Sequence, residues 1–265
     1  MADILKGIAK RPFSGMTRHG SRHEYLICEL WKRGCRPSID SHGNIWVEKG
    51  SGRKTVLFSS HIDVDRSVRN MSFGYVDGTG RKSAIGVLDN SAGCYINLLL
   101  AQQGPKKGRA IYVFSASEEV FRGNPRKYCQ SAREVVRELR KRGIKPALCV
   151  AIDVTHPKLR KKQEKMDWDK KEHEIFDMND KTHCYIDGYS RRDARKLGIS
   201  LVKRFGDSTI GARRFSGEDE AHVYSKLCPS FAFGPVVFGR FDRPNQVMPL
   251  MHLRTAVRFL RWMKV

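Results

Sequence analysis

No run in the 265 residues approaches the about 20 consecutive apolar positions that a membrane-spanning helix needs. The opening Met1-Ala2-Asp3-Ile4-Leu5-Lys6 lacks both the basic start and the apolar stretch of a secretory signal. No Cys-x-x-Cys pair occurs. The seven cysteines, Cys28, Cys35, Cys94, Cys129, Cys149, Cys184 and Cys228, are odd in number and scattered. That pattern argues against a disulfide framework or a zinc ribbon, and for free or buried thiols in a reducing compartment. A soluble, cytoplasmic protein with no membrane partner is therefore expected. A recognisable nucleic-acid module is also missing, although the formal net charge is +22. The cations are spread along the chain, as in 137–142, 158–162 and 191–195, so a solvated basic surface is expected, with a polyanionic partner as the alternative.

What is present suffices for a core. Hydrophobic residues make up 40% of the chain, and its length suits one sizeable α/β domain, although length alone would allow two. A helix start is followed by a loop around Phe13-Ser14-Gly15. Ser21-Arg22-His23-Glu24 has the spacing of a capping box and predicts a helix of about 13 residues, with Tyr25, Leu26, Leu30 and Trp31 on or near one face and a stop at Gly34. Ser38-Ile39 and Ile45-Trp46-Val47 flank a turn cluster and predict a hairpin of short strands. Residues 66–83 read as a polar, Gly-rich connection. Helices are expected over 95–103, over 126–142 and from Asp187-Gly188-Tyr189-Ser190 to Leu197. Ile199-Ser200-Leu201-Val202 reads as a further strand, Ser230 to Phe238 as a buried strand, and the stretch to Trp262 as a final helix.

Chemistry concentrates at strand ends. Thr55-Val56-Leu57-Phe58 stops at Ser59-Ser60-His61-Ile62-Asp63-Val64-Asp65. A β-branched and aromatic run ending in His and Asp reads as a buried strand delivering polar side chains to the carboxyl edge of a sheet, where α/β proteins place ligands. His61 is a candidate metal ligand; alone, His-x-Asp is equally a hydrogen-bonded pair at a strand end, because a metal needs several converging donors. Ile85-Gly86-Val87-Leu88 runs into Asp89, which either caps the next helix or turns one carboxylate oxygen to each of two cations. Ala110 to Phe114 ends in Ser117-Glu118-Glu119. Adjacent carboxylates repel, but beside a cation one can bind metal while the other acts as general base. Ala147 to Ile152 again ends in an acid, Asp153. Taken together, these four acidic tips predict a two-metal hydrolase.

With Gly43-Asn44 before the edge strand, the linked stretches Ser60 to Asp63, Leu88-Asp89-Asn90-Ser91-Ala92-Gly93-Cys94, Ser117 to Gly123 and Ala151 to Thr155 resemble the co-catalytic zinc aminopeptidase and deacylase superfamily. Within it, the sequence is most similar to the glutamyl and deblocking aminopeptidases that form tetrahedral particles. The resemblance runs over nearly the whole chain in the same order. It implies a three-layer α/β/α domain with a mixed, mostly parallel sheet over residues 1–265. It also implies that His61, Asp89 and Asp153 bind one metal, Asp89 and Glu119 bind a second, Glu118 takes a proton from the metal-bridging water, and Asp63 orients His61. The implied cofactor is a pair of divalent ions, zinc foremost, with manganese or cobalt as alternatives.

Three departures from the family pattern accompany the likeness. Where the family closes its second metal site with a His, this sequence has Asp242; His252 is the other candidate, read as packing on the last helix, and an empty second site is the third outcome. Only 27 residues lie between His61 and Asp89, so the family's lid domain is absent, and a monomer or homo-dimer is expected. After Asp153, in place of a dimerisation domain, stands a charged insertion at about 158–181. Glu218 or Asp219 could bind a substrate amine, and His222 reads as a surface-helix residue. Peptides are the expected substrates. Deacylation of N-acyl amino acids, or a catalytically silent nucleic-acid-binding relative, are the alternatives.

Overall fold

The computed structural model describes residues 2–11, 21–65, 68, 70–78, 81–119, 128–159, 175–187, 192–213, 219–240 and 243–263. Eight strands form the main sheet, in the order β1-β2-β6-β3-β7-β10-β8-β9. They are β1 (Ser38–Ile39), β2 (Ile45–Gly50), β3 (Thr55–His61), β6 (Arg109–Ser115), β7 (Leu148–Ile152), β8 (Cys184–Asp187), β9 (Ile210–Ala212) and β10 (Ser230–Pro235). The central strands run parallel: β3 pairs with both β6 and β7, and β10 with β7. The β1–β2, β2–β6 and β10–β8 pairings are antiparallel, and β8–β9 is parallel. This is the mixed, mostly parallel sheet that the sequence predicts.

Alternation along the central strands divides two cores. Val56 and Phe58 of β3, Tyr112 and Phe114 of β6, and Val150 and Ile152 of β7 face one core; Leu57, Ile111, Val113 and Cys149 face the other. Side chains of successive strand residues point to opposite faces, so a near-continuous apolar run is what a sheet covered on both sides demands. Helices α1 (Ala2–Ala9), α2 (Ser21–Lys32), α3 (Ser91–Gln103) and α7 (Leu250–Trp262) contribute to the first core. Helices α4 (Gln130–Lys141) and α6 (Glu220–Tyr224) contribute to the second. No helix among the described residues is long and apolar enough to cross a membrane.

Several elements differ from the sequence reading. The connection over 66–83 contains a hairpin, β4 (Phe73–Gly78) and β5 (Arg81–Gly86), which joins β11 (Gln246–Pro249) in a separate antiparallel sheet. Its polar and glycine content hid an alternation in which Phe73 and Tyr75 pack on the core. Residues 199–202 belong to a helix, α5 (Arg192–Phe205), rather than a strand. Leu197, Leu201 and Phe205 recur at intervals of four and reach the core together, and helical spacing outweighs the short β-branched run. Asp187 ends β8 instead of starting a helix. Helix α3 begins at Ser91, and α4 at Gln130. Trp31 is 56% exposed, so it does not share the buried face of Leu26 and Leu30. The loop around Phe13, most of the charged insertion, Glu218 and Asp242 lie outside the described residues.

Candidate metal centre

Parallel pairing places the strand tips side by side. His61 is in register with Ser115, and Ser59 with Ala151, so the segments leaving β3, β6 and β7 emerge at one edge. Backbone approach at this edge is close. A Cβ on Gly234 would sit 1.3 Å from the Asp153 carbonyl oxygen, and one on Gly93 would sit 2.3 Å from that of Ile152. Glycine at both positions lets β10 and α3 close on β7 beside Asp153.

The imidazole of His61, buried at 1% exposure, is the hub. Its Nδ1 lies 3.2 Å from both the backbone oxygen and Oδ1 of Asp63. Its Nε2 faces Asp89 Oδ1 at 3.1 Å, Glu118 Oε2 at 3.4 Å and Asp153 Oδ1 at 3.6 Å. His61, Glu118 and Asp153 offer donors all within 4.8 Å of one another, a group that could hold a metal ion. Asp63 also accepts the backbone amides of Glu118, at 3.0 Å on each oxygen, and of Glu119, at 2.8 Å. One carboxylate thereby fixes both the imidazole and the Glu-Glu turn.

Electrostatics point the same way. Burial, then the charge of Asp153, raises Asp89 to about 6. Burial, then the charge of Asp89, raises Glu119 to about 8. Glu118 is pushed well up, by burial first and by Glu220 and Asp153 among its neighbours. Burial works against a proton on His61, but the facing Glu118 and Asp153 carboxylates outweigh it and raise His61 well above its ordinary value. A proton on His61 does not complete the site, because the single N–H of Nε2 cannot serve Asp89 Oδ1, Glu118 Oε2 and Asp153 Oδ1 together. Buried carboxylate oxygens without a donor are costly. An imidazole nitrogen whose partner nitrogen faces a carboxylate, ringed by three carboxylates, offers donors that could hold a divalent cation.

Supporting residues include several that the sequence did not single out. Gln246 Oε1 accepts the amides of Leu88 at 2.6 Å and Asp89 at 2.9 Å, and so holds the turn that carries the Asp89 carboxylate. Asn90 caps α3 by accepting from the Gly93 amide and donates to the Ile152 carbonyl at 2.8 Å. Arg22, fully buried, donates to the carbonyls of Ile8, Arg11 and Ile62 and to Ser91 Oγ. A capping-box position gave no hint that Arg22 turns inward. Glu220 is buried under the tips, accepting from Ser59 Oγ at 2.8 Å and from Ser115 Oγ. Asn44 Oδ1 accepts the Ala116 amide at 2.9 Å.

The remaining candidates lie elsewhere or have other partners. His252 is buried on α7, with Nδ1 2.9 Å from the Val236 carbonyl oxygen and its ring stacked on His183 at 4.8 Å. Asp219 caps α6 by accepting the His222 amide at 3.0 Å, and His222 is exposed.

No protein-family model matches the chain, and no curated protein matches it in sequence. Solved structures do match in shape. The TET1 peptidase of Pyrococcus horikoshii superposes with a TM-score of 0.72 at 15% identity, over 98% of each chain. An aminopeptidase from the archaeon Desulfurococcus kamchatkensis gives 0.73 at 10% identity, over 98% of this chain and 92% of that one. A tripeptidase of Staphylococcus aureus gives 0.64 at 11%, over 98% and 95%. The chain has the fold of these peptidases. The Pyrococcus protein is described as assembling into a tetrahedron or a large octahedral shell, a larger assembly than the monomer or dimer expected from this sequence.

Proposed function

We propose that the chain is a metal-dependent aminopeptidase acting on peptides. The observation that carries this reading is the convergence of Asp89, Glu118 and Asp153 on His61 Nε2, three carboxylates around one N–H. The shared fold with aminopeptidases and a tripeptidase supports it.

In this reading His61, Asp89 and Asp153 hold one divalent cation, and Asp89 and Glu119 hold a second, with Asp242 as the further donor. Zinc is the ion proposed, since it accepts mixed nitrogen and oxygen donors; manganese and cobalt suit the carboxylate-rich second position. When bound, the ions supply Lewis-acid polarisation of the scissile carbonyl and a lowered pKa for water. Glu118 takes the proton of the attacking water and returns it to the departing amine. Its Oε1 faces the Tyr128 hydroxyl at 3.3 Å and the Cys129 thiol at 3.6 Å, which fix the carboxylate while Oε2 stays turned to the centre. Asp63 keeps the Nδ1 side of His61 engaged and so directs Nε2 inward.

The chain is proposed to act as one catalytic domain carrying the charged 158–181 insertion. Free thiols at all seven cysteines support a reducing, cytoplasmic setting. The test is release of a chromophore from aminoacyl arylamides by metal-loaded protein. Turnover should vanish with chelation and return with zinc, manganese or cobalt. Hydrolysis of N-acyl amino acids without aminoacyl turnover would replace this reading with deacylation.

A further inference from the structure

The metal centre occupies one edge of the sheet; the opposite edge has a different character. There the turn over 49–55 meets the turn over 104–109. The Arg109 amide donates to the Lys54 carbonyl, and a Cβ on Gly50 would sit 2.3 Å from the Gly108 carbonyl oxygen. The segment over 140–147 joins them, with the Ala147 amide donating to Thr55. None of these three segments contains an Asp or Glu. Glu48 pairs with Arg109 and Arg142, and Asp207 with Arg258. Among the described residues, no carboxylate pairs with the exposed Arg53, Lys54, Lys106, Lys107, Lys145 or Arg261. Cations at helix C-termini are ordinary, because they complement the helix dipole. That accounts for Arg140, Lys141, Arg204 and Arg261, but not for the cations of the two turns or for Lys145.

Between this belt and the ends of α3 and α7 lies a cleft of about 560 Å³. Its floor is closed by the core pair Phe58 and Tyr112, which are 3% and 2% exposed, its wall includes the half-buried Trp262, and Lys106 and Arg261 line it as exposed cations. Arg204 lies 5.9 Å from the Trp262 ring, extending the basic rim beyond the cleft. A cationic track beside a recessed aromatic cleft suits a polyanion that also carries flat, unstacked rings. Single-stranded nucleic acid has both, with phosphates for the track and an unstacked base for Trp262. A duplex keeps its bases stacked inside. An anionic membrane would call for several protruding apolar side chains, and of the exposed large ones among the described residues Trp31 alone is tied to this belt, through Gly34, whose carbonyl accepts from Lys49.

We propose that the sheet edge opposite the metal centre binds single-stranded nucleic acid, with phosphates along the 49–55, 104–109 and 140–147 belt and a base against Trp262. This inference stands independently of the peptidase reading. Fluorescence anisotropy of labelled oligo(U) and oligo(dT), titrated with the full chain in rising salt, tests it. Binding should weaken steeply with salt, and tryptophan emission should be quenched. The double variant Lys106→Glu/Arg261→Glu, which alters only exposed side chains, should bind at least about tenfold more weakly and flatten the salt slope by about 1.4, at about 0.7 for each phosphate no longer neutralised. Its aminoacyl hydrolysis should be unchanged. Trp262→Phe, which keeps an aromatic ring against Phe205 and Phe259, should lose the quenching. Absence of binding at low salt would overturn the proposal, as would unchanged affinity in the double variant. Equal binding of duplex, heparin or phosphatidylserine vesicles would also overturn it, by showing a surface that attracts any polyanion.

Discussion

Asp63 receives the backbone amide of Glu118 on both carboxylate oxygens, each at 3.0 Å, while its Oδ1 faces His61 Nδ1 at 3.2 Å. Changing this one side chain should therefore disturb two parts of the centre together. Asp63→Asn presents an NH2 group to amides that need an acceptor. Metal affinity is expected to fall about 10- to 100-fold, as when other groups that orient a ligating His are changed, and stability by about 1–3 kcal/mol for each buried amide left without an acceptor. Metal content after dialysis and urea unfolding measure the two effects separately.

Glu118 offers a sharper test because two roles compete for it. As general base, Glu118→Gln should lose on the order of 10²- to 10⁴-fold in kcat and retain its metal. As a ligand in the His61, Glu118 and Asp153 group, the same substitution would cost metal content in proportion to activity. Elemental analysis of the purified variant beside its turnover rate separates the two.

Gln246 lies outside the main sheet, yet its Oε1 accepts two amides at the Asp89 turn. Gln246→Ala should destabilise the fold by about 2 kcal/mol or more, since two buried donors lose their acceptor, and should weaken metal binding without removing a ligand. Gln246→Glu, which keeps the acceptor oxygen, is expected to retain more stability than Gln246→Ala in the same urea titration. Equal losses would show that the two amides are not what Gln246 supports.

The carboxyl cluster gives the metal-free chain a defined pH response. Asp89 at about 6 and Glu119 at about 8 both lie above the about 4 of an unfolded carboxyl. A raised carboxyl favours the fold when protonated. Its contribution is therefore present below about pH 4 and lost as the pH rises to about 6 for Asp89 and about 8 for Glu119. His61, also raised, stabilises the fold below about 6.5 and loses that contribution as the pH climbs through its folded value. All three act in one direction, so Tm of chelator-treated protein should be lower at about pH 8.5 than at about pH 5.5. Added zinc or manganese should raise Tm most at the higher pH. An equal rise at both values would place the bound ion away from these carboxylates.

The main sheet was legible because its central strands are apolar on both faces and end abruptly in acids, a pattern that few other local structures produce. Thr55 to His61 and Ala147 to Asp153 show it plainly. Asp63 and Asp89 were readable as positions, but their partners were not: nothing local tells that an amide 55 residues away is the donor to Asp63. The β4–β5 hairpin escaped because Gly74, Gly78 and Gly86 dilute an alternation carried by only Phe73 and Tyr75. Ile199 to Val202 misled because four residues fit a strand, whereas the helix shows only once Leu197 and Phe205 are included. Arg22 and Glu220 are charges turned inward, and composition gives no sign of where such side chains point.

The three-stranded sheet of β4, β5 and β11 looks peripheral, yet β11 carries the acceptor that steadies the peptide ahead of Asp89. A minimal version pared to the eight-stranded sheet and its covering helices would keep His61, Asp63, Glu118 and Asp153 and lose the brace that aims Asp89. For anyone transplanting this centre into another scaffold, the unit to carry over is the acids together with that outlying ribbon.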